Sequence, residues 1–189
     1  MYNEKLEVKL KYHDDMWQYI KDCAMTTISK NTGKYPDSEW KRKLLLSEHS
    51  PIRIGKILSR FTNIYSFVAT HFTRHHIGCE KFVSSRRTDR SSETDTNRSS
   101  LVNMDFEANF QSIINISRKR LCSCASLETT FTWMEYLENV VKLAEPELYS
   151  VCVPDCIYRG YCYEIQSCGY HKSPEFQEKL KKYRENINQ

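Results

Sequence analysis

The chain has 189 residues, 40% of them hydrophobic and 28% charged, with five prolines and five glycines; this is the make-up of an ordinary globular protein and excludes long disordered linkers. A formal net charge of +4 from 28 basic and 24 acidic residues is too mild for a whole-surface nucleic-acid footprint, so any anion site must come from local clustering. No continuous apolar run reaches signal-peptide or membrane-spanning length, which predicts a cytoplasmic protein whose eight cysteines are free thiols or metal ligands rather than disulfides.

Residues 5 to 12 alternate with period two and predict a half-buried strand with Leu6, Val8, Leu10 and Tyr12 on one face. Asp14 or Asp15 then caps a helix from Met16 to about Ile28, carrying Trp17, Ile20, Ala24 and Ile28 at helical spacing. A loop at Asn31, Gly33 and Pro36 leads to a second helix, about Ser38 to Leu46. Ile52 to Phe61 alternates weakly and predicts a strand, after which Thr62 or Asn63 caps a helix carrying Ile64, Phe67, Val68 and Phe72. Residues 88 to 100 hold no apolar side chain and read as a solvated loop suited to a lid. Helices are predicted over about Asp105 to Leu121, with Phe106, Phe110, Ile113, Ile114 and Leu121 inside, and roughly Ser126 to Leu143, with Leu127, Phe131, Met134, Leu137 and Val141 inside. Ser173 and Pro174 start a last helix, with acids first and bases later.

The most informative stretch runs from Thr73 to Arg90. It concentrates four arginines, a lysine, His75, His76 and several hydroxyls, a composition suited to gripping phosphate. Arg74 and His75 fall at the C-terminal end of the predicted helix, where its dipole favours cations. A second segment places Asn109 and Arg120 eleven residues apart, hence about 20° apart around an ideal helix and roughly 16 Å apart along it. Two polar heads share one side.

Arg74-His75-His76, then seven residues, then Ser84-x-Arg86 resembles the Arg-His-Arg-x7-Ser signature of flavin-dependent thymidylate synthases. His49-Ser50-Pro51 is similar to that family's upstream segment, and Asn109 to Arg120 followed by Ala125 and Glu128 is similar to its substrate- and flavin-binding helix. The resemblance covers about residues 45 to 145. The pattern departs from the family at His76 for a second arginine, Lys81-Phe82 for an Asn-Glu pair, Arg87 for a tyrosine and Arg53 for an acid.

The resemblance implies an α+β fold in which helices pack on a small antiparallel sheet. It implies reductive methylation of dUMP to dTMP, with FAD, NADPH and 5,10-methylenetetrahydrofolate, in a homotetramer. Ser50, Arg74, His75, His76, Asn109 and Asn115 would face the flavin, and Ser84, Arg86, Arg98 and Arg120 would hold dUMP. Arg120 is the catalytic candidate, stabilising charge that develops on the uracil ring, and no side-chain nucleophile is required. The rival readings are a family member that binds flavin or nucleotide without turnover, and a metal-stabilised nucleic-acid-binding module.

Residues 1–150 form the predicted domain, and residues 151–189 a Cys-rich extension with the terminal helix. Cys122, Cys156, Cys162 and Cys168 are the preferred ligands if the extension holds zinc or an iron–sulfur cluster; the alternative is reduced, buried thiols.

Overall fold

The computed structural model describes residues 15–31, 33–87, 89, 97–124 and 126–187. The strand predicted over residues 5 to 12 and most of the predicted lid lie outside the described residues.

Helix α1 (Met16–Thr26) starts at Asp15, whose carboxylate accepts from Gln18 N at 3.0 Å, and α2 (Ser38–Leu46) starts at Asp37, which accepts from Trp40 N at 2.8 Å. Each carboxylate satisfies one of the N–H groups that a helix start leaves unpaired. Pro51 then sits in the first turn of a short 3-10 helix, Ser50–Arg53. The strand predicted from Ile52 therefore begins later, as β1 (Lys56–Tyr65). It also runs past the predicted cap: Asn63 takes a left-handed φ of 55° at a bulge between Phe61 and Ile64, and the strand resumes.

Helix α3 (Ser66–Thr73) consequently starts with no side-chain cap. Its first donors are met from a distant segment instead, Ser66 N by Ser100 O at 2.9 Å and Phe67 N by Arg98 O at 3.3 Å. After Arg74 the chain runs without helix or strand to Gly78 and then forms the edge strand β2 (Cys79–Val83).

The helix predicted from Asp105 is replaced over its first turn by strand β3 (Leu101–Asn109), and only Phe110 to Arg120 is helical, as α4. Val102, Met104, Phe106 and Ala108 alternate inward, each at most 4% exposed. Phe106 and Phe110 are four apart, a spacing that fits a helix and a strand equally well, so the period is ambiguous there. β3 is the centre of a three-stranded antiparallel sheet of order β1-β3-β2, a position that satisfies its backbone on both edges. The chain is thus α+β with a small antiparallel sheet.

Helix α5 (Leu127–Tyr136), capped by Ser126, continues through a π-helical turn at Leu137–Val141 into the short α6 (Lys142–Ala144). The predicted apolar stripe is only half inside. Leu137 and Val141 are buried, but Leu127, Phe131 and Met134 are 55%, 62% and 47% exposed. The π turn inserts an extra residue per turn and shifts the phase, so no single 3.6-residue stripe joins the two halves. What α5 buries is Thr129, Thr130, Trp133 and Tyr136. Trp133 packs between Phe72 and Tyr136 at centroid distances of 5.5 and 4.8 Å, and its indole N–H donates to Ser117 Oγ at 3.0 Å.

Helices α7 (Pro146–Val151), α8 (Asp155–Arg159) and α9 (Pro174–Ile187) complete the chain. Ser173 Oγ accepts from Phe176 N at 3.1 Å at the start of α9. Ile157, Phe176, Leu180 and Tyr183 form a second small core, and the extension leans on α4, where Arg118 lies 3.6 Å from the ring of Tyr158.

Candidate functional site

Segment His71 to Gly78 lies along α4 and is pinned by both of its ends. At the N-terminal end Asn109 Oδ1 accepts from Ser112 N at 2.8 Å and so caps α4, while Asn109 N donates to Gly78 O at 2.9 Å and Ser112 Oγ to Ile77 O at 2.5 Å. At the C-terminal end Arg120, only 8% exposed, donates from Nε to His75 Nε2 at 2.8 Å and from Nη2 to His71 O at 2.6 Å. Asn109 is therefore the extended N-cap of α4 rather than part of the helix, and it and Arg120 hold the two ends of the same segment.

The electrostatics follow from that arrangement. His75 accepts a hydrogen bond at Nε2, so its proton sits on Nδ1 and the ring is neutral. Burial, reinforced by Arg120, Lys81 and His76, lowers its pKa to about 4. His71 is also held below its ordinary value, by burial first and then by Arg120, Arg74 and Arg98. Burial and the charge of Arg74 lower Arg120 in turn. Among the described residues the charges that shift these three groups are positive. Such a cluster repels itself, and a bound anion relieves the repulsion.

This gives stability a pH dependence of definite sign. The unfolded His75 takes its proton near pH 6.5 and the folded one only near 4. Between those values the unfolded chain binds more protons, so the contribution is complete above about pH 6.5 and is lost as pH falls toward 4. After discounting for the partial exposure of the ring, about 1–2 kcal/mol should disappear. Urea titrations at about pH 7 and about pH 4.5 should show that His75→Gln loses less stability than the parent on acidification. Equal losses in the two would refute the assignment.

Arg74 occupies the C-cap of α3 and is exposed, and His76 is exposed beside it with Nδ1 3.3 Å from Arg74 O. Arg98 is brought near by the backbone bonds that start α3, and its guanidinium lies 5.2 Å from the Phe67 ring. Arg86 is half-buried and donates to Asn97 O, one residue from Arg98. Ser84 extends the β2–β3 ladder: its N–H donates to Asn103 O at 2.9 Å and its Oγ accepts from Asn103 N at 3.0 Å. Its hydroxyl proton is left to donate elsewhere.

Asn115 is not brought to this cluster. It turns to another face of α4, where its Oδ1 accepts from Arg118 at 3.2 Å. Glu48 also accepts there, from Gln111 at 2.6 Å and from Arg118; burial, the largest single effect, pushes its carboxyl up, but the bonds and charge of Arg118 with the bonds of Gln111 and Tyr158 together hold it below its ordinary value. Ser50 is exposed at the start of the 3-10 helix.

Three members of the Arg120 cluster were missed by the sequence reading. His71 lies one helical turn before His75 and holds Thr129 Oγ1 at 2.7 Å through Nδ1; its i, i+4 spacing was the available signal. Thr129 carried no such signal. Nor did Lys81, whose ammonium donates to the carbonyls of His75 and Cys79 and stiffens the turn between them.

A cavity of about 670 Å³ lies elsewhere, between the α4–α5 turn and the extension, and Cys122, Cys152, Cys156 and Cys168 are among its lining residues. Among the described residues no three His, Cys, Asp or Glu side chains are gathered to hold a metal ion. No helix among them is long and apolar enough to cross a membrane. Comparison of the chain with protein-family profiles, with curated proteins and with solved structures found no match.

Proposed function

We propose that the protein is a flavin-dependent thymidylate synthase, converting dUMP to dTMP with 5,10-methylenetetrahydrofolate as carbon donor and NADPH as reductant. One observation carries this reading. The two sequence segments on which the resemblance rests meet at the bond between Arg120 and His75, beside the positive charges of Arg74, Lys81 and Arg98. A generic basic loop would have no reason to bury an arginine against a neutral histidine.

The residues fit the groups that the reading requires. The exposed Arg74 suits a flavin phosphate, and Arg86 and Arg98 suit the phosphate of dUMP, with the Ser84 hydroxyl as a further donor. Arg120 is held by two bonds that leave its orientation little freedom, as a group stabilising charge on a pyrimidine ring must be. His75, neutral and fixed in one tautomer, positions Arg120 without adding charge. When bound, FAD supplies the hydride. The amine of Lys81, standing where the family has asparagine, is engaged with backbone carbonyls and keeps the turn closed.

Asn115 lies apart from the Arg120 cluster, and the apolar stripe Leu127, Phe131 and Met134 is exposed. Both fit a site completed between copies of the chain, so the homotetramer is part of the proposal.

The test is direct. Purified protein incubated with FAD should retain flavin absorbance through gel filtration, bleach with NADPH, shift with dUMP, and form dTMP once methylenetetrahydrofolate is added. Protein that takes up no FAD and forms no dTMP would sink the reading.

A further inference from the structure

The cavity of about 670 Å³ between the α4–α5 turn and the extension has the size of a small-molecule pocket. Its wall is mostly apolar, with Leu121, Met134, Leu137, Val153, Pro154 and Ile157 beside the thiols of Cys122, Cys152 and Cys156. Burial pushes the Cys152 thiol up to about 12 and raises those of Cys122 and Cys156, so all three are uncharged at neutral pH. An uncharged thiol behaves as a small hydrophobe with only weak hydrogen-bonding capacity.

The charged groups of the lining are Glu138, Lys179 and Lys182, and they are not equally engaged. Glu138 pairs with Lys142 at 2.7 Å and accepts from the Tyr149 hydroxyl, so its charge is already answered. Lys179 and Lys182 lie one turn apart on α9, and both are exposed, which puts them where the cavity meets solvent. Lys179 stands 5.8 Å from the Tyr170 ring, and the ion pair on that helix joins Lys181 to Glu185 at 3.9 Å instead. Among the described residues neither Lys179 nor Lys182 has a carboxylate partner.

We propose that this cavity binds a single-chain aliphatic carboxylate, its hydrocarbon chain against the apolar wall and its headgroup between Lys179 and Lys182. An alkyl chain carries no donor or acceptor, which suits a wall of aliphatic side chains and thiols. A nucleobase or another heteroaromatic ring would leave several polar atoms buried and unpaired there. An uncharged apolar molecule would fill the same wall but forgo the two lysines. Their ammonium groups are compact charges on flexible stems, able to settle on a carboxylate while the methylenes cover the apolar mouth. Glu138, held by Lys142, and the uncharged thiols offer the headgroup little repulsion. No residue of the Arg120 cluster lines the cavity, so the site stands independently of the flavin reading.

Calorimetric titration of the full-length protein with decanoate, kept below its micelle concentration, should show a single saturable site per chain. Decanol, with the same chain and no charge, should bind about tenfold more weakly. Lys179→Gln combined with Lys182→Gln, both at exposed positions, should bind the two compounds equally, because the headgroup has lost its partners while the wall is intact. Ser150→Trp adds bulk to the wall at an exposed position and should abolish binding of both. Parent protein without saturable binding, whether the cavity stays shut or a second copy fills it, would overturn the proposal. So would equal affinity of the parent for decanoate and decanol, a preference for decanoate retained in the doubly substituted protein, or unchanged binding in Ser150→Trp.

Discussion

If the proposed function holds, replacing Arg120 by alanine is expected to lower kcat/KM for dUMP methylation by about 10²–10³-fold, the usual cost of removing one donor aimed at developing charge. Folding should suffer little in comparison. Arg120 gives up bonds to His75 and the His71 carbonyl, but Arg74 repels it, so its loss also removes repulsion. Arg120→Lys is the sharper variant: it keeps the charge, yet one ammonium cannot reproduce a guanidinium fork that reaches two acceptors at 2.8 and 2.6 Å. It should remain closer to the alanine variant than to the parent. Rescue of a thymidine auxotroph, alongside assays of dTMP formation and thermal melts, provides the measurement. Equal growth with Arg120 and Ala at this position would refute the role given to the residue.

Gly78→Ala should cost about 2–4 kcal/mol of stability and disturb the site with it. Gly78 has a left-handed φ of 68°, and a Cβ there would stand 2.4 Å from Asn109 Nδ2 and 2.6 Å from Ser112 Oγ. Those two side chains are the cap of α4 and its bond to Ile77, so relief of the overlap has to displace the helix from segment His71–Gly78. Gly33 provides the control, since it has the same φ of 68° with nothing within 4 Å of an added Cβ. Gly33→Ala should therefore cost about 1 kcal/mol or less. Urea denaturation of both variants separates backbone strain from the collision. If the two cost the same, the close approach of α4 to the turn has been misread.

Much of the helical skeleton was legible in the sequence because its signals are local. Asp15 and Ser173 accept from the N–H three residues ahead of them, and Trp17, Ile20 and Ala24 repeat at the helical period over a single continuous element. Arg74 at the end of α3 follows from the same short-range geometry, whereas the helical relation expected between Asn109 and Arg120 does not, because Asn109 ends β3. The misreadings fall where a distant partner decides. β3 is a strand because β1 and β2 pair with both its edges, although its phenylalanine spacing fits a helix. α3 begins at Ser66 because Arg98 and Ser100 offer carbonyls to it, a fact with no trace in residues 62 to 66. The π turn at Leu137 hides which face of α5 is buried.

The candidate site divides along the same line. Its chemical composition, basic residues, imidazoles and hydroxyls in two short segments, is a property of the sequence alone, because side-chain chemistry does not depend on the fold. That His75 is neutral, that Arg120 is buried against it, that Arg98 joins the cluster and that Asn115 leaves it were decided only by the tertiary structure. Charge state and proximity depend on burial and on contacts between residues far apart in the chain, and neither is encoded in any local spacing.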